Sequence, residues 1–515
     1  MKTTKLKQLL IATVTGAQVA LPAFAADGAA TGTNGTAVVE SSAASTDGGN
    51  SSESAEIKTL KEQVDALVQK VNALEQQPAQ PAPDEPTVNL QNLDQQVRIL
   101  ERQREIDRDA AVAKAATTPK ITLGANGFSA SSADTNFVFS LHGLIQTDSR
   151  TFFHADGGTL GKNTFLLRRA RPIFTGTVFH DFDFNFTPDF GGSAVQIFDA
   201  YLNYRFSPEW QLEAGKFKSP VGLEALQADT WTSFNERSIA SDLVPNRDIV
   251  LELHGDLFGG IASYAAGVFN GASDYNGTTT TQDVDNSKAF AGRVFFQPWK
   301  ISDVNFLQGL GFGVAGSYED DQSSAANLTP GYKTDGQQTL FSYAGNVVAN
   351  GKHWRISPQG YYYYGPLSLL GEYTISDQQV SRSSGTPASA DLQNTAWEIS
   401  AGWVLTGESA SYNGLTPQHS FNPTLGQWGA WQIVARYANL DLDNAAFKGP
   451  TTFAAAGSAS AAQAWSIGLN WYLNRDVRLN TSYSRTTFNR GGTATPTAAT
   501  AQPENVLFTR IQLAF

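Results

Sequence analysis

From about Ile121 onward the chain alternates oily and polar residues with a period of two, and keeps doing so to its last residue. In 198–206, Phe198, Ala200, Leu202, Tyr204 and Phe206 oppose Asp199, Tyr201, Asn203 and Arg205. In 465–473, Trp465, Ile467, Leu469, Trp471 and Leu473 oppose Ser466, Gly468, Asn470 and Tyr472. Val477, Leu479 and Tyr483 oppose Arg478, Asn480, Ser482 and Ser484, and in 181–186 three Phe residues alternate with Asp, Asp and Asn. Such segments are strands with one oily and one wet face. A soluble sandwich shares that pattern. Here the oily faces often begin or end in Trp, Tyr or Phe, as expected of strands whose ends meet a bilayer interface. Composition agrees: aromatics make up 11% and glycines number 46, while a mean hydropathy of −0.26 leaves no run apolar enough for a membrane helix. The final strand places Leu507, Thr509, Ile511, Leu513 and Phe515 on the lipid face and Phe508, Arg510, Gln512 and Ala514 inward. Pairing it with the first strand would close an all-β transmembrane antiparallel β-barrel over 121–515.

The connections alternate as a barrel requires. Residues 206–209 and 473–476 are tight, whereas 272–287, 320–338, 376–393, 443–462 and 488–504 are long and polar. Short periplasmic turns and long external loops are the rule for such barrels. Roughly 390 residues at ~10 per strand predict about 16 strands, with 18 as the other solution. A barrel of that size encloses a water-filled lumen. The net charge of −12 argues against a nucleic-acid partner, and zero cysteine excludes a thiolate metal site. The six histidines (His142, His154, His180, His254, His353 and His419) show no ligand spacing, and no nucleophile elbow or phosphate loop occurs. The expectation is no enzyme, no metal and no cofactor.

The N-terminus predicts export. Lys2, Lys5 and Lys7 precede an apolar stretch from Leu9 to Pro22 and the A-x-A site Ala23-Phe24-Ala25. That fits a signal peptide over 1–25, too short to span at ~20 residues. Residues 26–54 read as a disordered tether of small and polar residues. Over 55–77 a heptad seam appears: Ile57, Leu60, Val64, Leu67, Val71 and Leu74. A Pro/Gln-rich linker, 78–87, interrupts it. A second helical segment, 88–117, carries Leu90, Leu93, Val97 and Leu100. Self-association would bury the seam; packing on the barrel's own periplasmic rim is the other way to do so.

An ordered series of short motifs resembles the phosphate- and polyphosphate-selective porin family (the porin O and P type). It comprises Leu167-Arg168-Arg169-Ala170, Phe198-Asp199-Ala200, Gly215-Lys216-Phe217 and Gly222-Leu223-Glu224. After Trp231 come Glu236-Arg237, then residues 267–271, 405–408, 431–437 and 470–472. The resemblance covers roughly 135–515. It implies a 16-stranded homotrimer in the Gram-negative outer membrane, an inward-folded loop, and an arginine-lined constriction passing small anionic solutes. N-terminal coiled coils are familiar among its members. With this placement the partners would be lipid and lipopolysaccharide, the barrel-assembly machinery through the strand ending at Phe515, and the cell wall through the periplasmic extension.

Matched position by position, the resemblance gives Arg168 and Arg169 a constriction role, Asp199 the nearby acid, and Arg237 a basic residue of a constricting loop within 219–246. Lys216 and Lys218 lead into that loop. A guanidinium stays charged and offers five donors, so it can replace an oxyanion's hydration shell. Period two sets Arg168 against Arg169, so Arg169 and Arg171 are expected to face the lumen, with Arg168 at a subunit interface or a bulge. The plainer reading is that these arginines hold wall carboxylates such as Asp181 or Asp183. The sequence departs from the family at Leu141–Leu144, where an arginine is expected, at Arg171, where a tyrosine is, and at Thr230, where a lysine is. Lysine is scarce throughout the barrel. Two other functions fit the pattern: a sugar-type or general diffusion porin, which the run Tyr361 to Tyr364 favours, and a barrel tethering the envelope.

Overall fold

The computed structural model describes residues 87–124, 127–153, 161–192, 194–274, 286–321, 329–449, 452–490 and 502–515, with the isolated helical positions Ala66, Gln69 and Lys70. The expected signal peptide and tether lie outside the described residues. So do all but three positions of the 55–77 seam and nearly all of the 78–87 linker. The chain divides into two compact units, one over 27–116 and one carrying Thr117–Phe515.

In the first unit, helix α1 (Thr87–Thr117) begins directly after Pro86 and stops before Pro119. Its 31 residues span ~47 Å at ~1.5 Å per residue. Leu93, Val97 and Leu100 are exposed, while Asp94 and Arg98 pair one turn apart at 3.1 Å.

In the second unit the alternation becomes strands: β1 (Lys120–Gly124), β2 (Gly127–Ser131), β3 (Val138–Phe152), β4 (Thr164–Val178), β5 (Phe182–Asp189), β6 (Gln196–Ser207), β7 (Trp210–Lys218), β8 (Arg247–Leu257), β9 (Ala262–Phe269) and β10 (Ala289–Phe296). They continue as β11 (Leu310–Asp321), β12 (Gly331–Lys333), β13 (Thr339–Ser342), β14 (Val347–Tyr364), β15 (Leu367–Arg382), β16 (Ser389–Val404), β17 (Ala430–Asp441), β18 (Ala459–Tyr472), β19 (Val477–Arg490) and β20 (Glu504–Ala514). Sixteen of them, β3 to β11 and β14 to β20, pair antiparallel in chain order, and β20 pairs with β3 to close a barrel. The β1–β2 hairpin adds two strands beside β3, which is how the sheet reaches 18. Hairpin β12–β13 stands apart from the wall.

The closing seam follows the residue pattern. Along β20, Val506, Phe508, Arg510, Gln512 and Ala514 are buried, whereas Ile511, Leu513 and Phe515 are exposed. Phe515 exchanges both backbone hydrogen bonds with Gly143, at 3.0 and 3.1 Å. Its ring lies where a Cβ on Gly143 would stand, 2.6 Å away, so glycine there makes room for the aromatic end of the strand. Exposed Phe179, Phe206, Trp210, Phe258, Trp403 and Trp428 gather at the short-turn ends, as an interfacial girdle does.

Two connections depart from expectation. Residues 376–393 are mostly strand: β15 runs on to Arg382 and β16 starts at Ser389. Polar residues do not stop this ladder: one face is open, while the other buries Gln378, Val380 and Leu392. The β16–β17 link, 405–429, is long although it falls on the short-turn side. It folds inward: Tyr412 donates its hydroxyl to the Leu223 carbonyl at 2.6 Å and accepts from Gln227 Nε2 at 2.8 Å.

Long loops also fill the opposite half. Ile239 and Leu243, from the segment between β7 and β8, pack with Tyr332, Leu340 and Phe341 of the β12–β13 hairpin and with Phe447 and Phe453. The cluster also takes in Val380, Leu392, Ala438 and Leu440 of the wall strands, so the loops pack onto the wall as one core.

Candidate pore constriction

The segment between β7 and β8, residues 219–246, lies inside the lumen and supplies two carboxylates, Asp229 and Glu236. Arginines from the wall converge on both. Arg169 reaches Asp229 at 3.1 Å and donates to Gln146 Oε1 at 2.6 Å. Arg171 donates to Asp229 at 2.5 Å and to Asp189 at 2.6 Å. Arg237, on the loop itself, donates to Asp229 at 2.7 Å and to the Gln227 and Glu224 carbonyls. Glu236 accepts both arms of Arg168, at 2.7 and 3.0 Å, and Nη2 of Arg150 at 2.8 Å. Burial alone would raise both acids. The charges of Arg169, Arg237 and Arg171 outweigh it and hold Asp229 well below the usual carboxylate range, and Arg168 and Arg150 do the same for Glu236.

Two bulges aim the side chains. Gln146 pairs with Arg169 and Thr147 with Leu167, so Arg168 is the extra residue on β4. A bulge breaks the alternation locally and re-aims one side chain. Arg168 therefore joins Arg169 and Arg171 on the lumen side, of the two positions open to it in sequence. The second bulge falls on β6. Thr187 pairs with Asp199 and Pro188 with Ile197, leaving Phe198 extra. Phe198, which alternation places on the oily face, turns inward instead. The guanidiniums of Arg171 and Arg247 stack on its ring at 3.4 and 3.7 Å. Asp199 also faces inward and pairs with Arg247 at 2.8 Å. Lys218 donates to the Leu226 and Gln227 carbonyls, holding the start of the loop.

The loop divides the lumen. One chamber, about 770 Å3, is bounded by Arg168, Asp229, Arg237 and Lys333 and by Thr329 and Gln337 of the long-loop side. The other, about 530 Å3, is bounded by Lys218, Arg293, Tyr361, Tyr363 and Tyr412 and by Lys300 at a short turn. Arg247 borders both.

Residues 139–515 match the model of a family described as phosphate-selective porin O and P. This chain belongs to the phosphate-selective porin O and P family. Porin O of Pseudomonas aeruginosa is 25% identical over 390 residues, covering 69% of this chain and 84% of that protein. Among solved structures, the outer membrane channel DcaP of Acinetobacter baumannii aligns at 12% identity and a TM-score of 0.48, covering 74% of this chain and 98% of that one. The anion-selective porin from Comamonas acidovorans aligns at 13% identity and 0.42, covering 74% and 100%. As a member of the porin O and P family the chain is an outer-membrane porin, a channel and not an enzyme.

The porin's residues singled out in sequence thus come together around one loop. Arg168, Arg169, Arg171 and Arg237 meet its carboxylates, while Asp199 and Lys218 flank it. The plainer reading holds in part: Arg171 grips a wall carboxylate, Asp189 at the end of β5, at 2.6 Å, whereas Asp183 pairs with Arg205 at 3.0 Å. Sequence reasoning missed Asp229 and Glu236, the acids that organise the cluster, and Arg150, Arg247 and Asp189. The Glu236-Arg237 motif was the available signal, since an acid beside a basic loop residue implies a partner for each.

Proposed function

We propose that this porin passes small anions by preference, with phosphate-like oxyanions within its range. The observation that carries this is the convergence of three guanidiniums, Arg169, Arg171 and Arg237, on the single carboxylate of Asp229, with Asp189 also accepting from Arg171. The excess positive charge sits at the inner edge of the chamber on the long-loop side. Arg168 and Arg237 keep 28% and 21% of their side-chain surface open and offer the donors an anion meets first. Rings of basic side chains are how anion pores select. The relative's name, Porin O of a phosphate-selective family, supports the oxyanion part. The test is chloride conductance of single channels during phosphate titration. Phosphate lowers the current in the native protein and less in Arg168→Ala; a current indifferent to phosphate removes the oxyanion claim. The tyrosines of the second chamber, Tyr361 stacked on Tyr412 at 5.3 Å, favour a second reading in which sugars also pass, readable as liposome swelling.

The extension supports a further part of this reading: a homotrimer whose 55–77 and 88–117 segments reach into the periplasm as a coiled coil. The exposed seam Leu93, Val97 and Leu100 needs a partner, and a second copy supplies the same face. Lipopolysaccharide around the barrel, the assembly machinery at the strand ending in Phe515, and the cell wall along the extension are the partners this placement offers. Deletion of 55–116 is expected to loosen the envelope, read as detergent sensitivity of cells, with single-channel conductance unchanged. Altered conductance would place the extension against the barrel's own rim.

A further inference from the structure

Behind the constricting loop three glutamates meet out of water. Glu224 comes from the loop, Glu372 from β15 and Glu398 from β16; one carboxylate oxygen of each lies within 4.8 Å of the others. All three are buried. Glu372 accepts the backbone N–H of Leu223 at 2.5 Å and, more weakly, that of Glu224 at 3.4 Å. Glu224 accepts from Ser238 N–H and Ser241 Oγ, both at 2.8 Å, and from Arg436 Nη1 at 2.8 Å. Arg436 also serves Asp335 at 3.0 Å, so it cannot neutralise the trio. Glu398 is the informative member. It is 3% exposed, and neither of its carboxylate oxygens has a hydrogen-bond partner. The buried hydroxyl of Ser238 is its neighbour and closes no good hydrogen bond either. A buried carboxylate with no partner is costly, and three sharing one guanidinium more so.

We infer that Glu224, Glu372 and Glu398 bind a calcium ion that clamps the constricting loop to the barrel wall. The donor set is all oxygen and all carboxylate, which hard divalent cations take. Calcium takes about six to eight oxygen ligands in flexible geometry, which suits carboxylates drawn from a loop and two strands better than the near-ideal octahedron that magnesium demands. A cavity of about 20 Å3 beside Glu224 is large enough for one water molecule. The ion would tie the loop's one-turn helix, Leu223–Leu226, to two wall strands at once. The site adjoins the arginine cluster through Arg237, which donates to the Glu224 carbonyl at 3.0 Å, so the clamp would hold the loop on which that cluster stands.

Calcium binding to the full-length protein, refolded in detergent without lipopolysaccharide and stripped with a chelator, tests this directly by equilibrium dialysis and elemental analysis. The expected result is one calcium per chain, with affinity at least tenfold weaker in Glu398→Gln and in Glu372→Gln while heat-modifiability stays native. In single channels, chelation raises open-channel current noise in the native protein and not in Glu398→Gln. No bound calcium at millimolar concentration, or equal binding in both variants, overturns the assignment; the cluster would then hold shared protons. Should neither variant fold, terbium luminescence of the native protein decides. Tyr363 lines a cavity that borders Glu224, close enough to sensitise an ion on that glutamate. Emission displaced by calcium supports the site, and its absence overturns it.

Discussion

Single residues decide where the charge sits in this pore, and two of them do so by breaking a rule. Arg169 and Arg171 follow strict alternation and were legible in sequence as lumen-facing. Arg168 and Phe198 are bulge residues, and a bulge depends on the partner strand's register, which one segment's pattern does not contain. The acids were hidden for another reason: Asp229 and Glu236 lie on an irregular loop with no period to place them. Their titration gives a test with a definite sign. Both have folded values depressed below the unfolded values of about 4. Their pairing is therefore fully present above about pH 4 and is lost only as pH falls through the folded values. Glu236→Gln removes that charge at any pH and leaves Arg168 and Arg150 uncompensated. Its reversal potential in a salt gradient is expected to shift toward anions at pH 7. The difference from the native protein persists down to pH 4 and closes only below it. A difference that vanishes between pH 7 and 5 would show that Glu236 is not held by its arginines.

At the scale of elements, the β20–β3 seam is where sequence and structure agree most closely. The alternation of β20 is reproduced residue by residue, because one face meets lipid and the other the packed lumen. Across the seam Arg510 and Asp148 are register partners, and the guanidinium grips both carboxylate oxygens at 2.6 and 2.7 Å. Both side chains are fully buried. Arg510→Ala leaves buried Asp148 with Arg150 alone, 3.7 Å away, so the loss is expected toward the lower end of the ~3–5 kcal/mol that breaking a buried pair costs. Urea unfolding in detergent should show that loss; a change under 1 kcal/mol would mean that water replaces the guanidinium. Where the fold was less legible, the reason is that polar composition does not distinguish a loop from a strand with one open face. The 376–393 hairpin shows this. The inward fold of 405–429 escaped for the opposite reason: its link to Leu223 is a tertiary hydrogen bond between segments 189 residues apart.

For the whole molecule, the barrel class, strand number and closure were readable because each rests on a repeated local pattern. The narrowing of the lumen was not, because it arises from loops packing on one another inside the wall: 219–246, the β12–β13 hairpin and the 405–429 turn. Together they leave two chambers that share Arg247 as a border, with Arg168, Arg169 and Arg237 lining one of them, and the central question is what those arginines do to passing ions. Zero-current potential across a planar bilayer in a KCl gradient measures it most directly. The account predicts a potential of the sign set by chloride, diminished in Arg169→Ala. A potential set by potassium, or none at all, would contradict it.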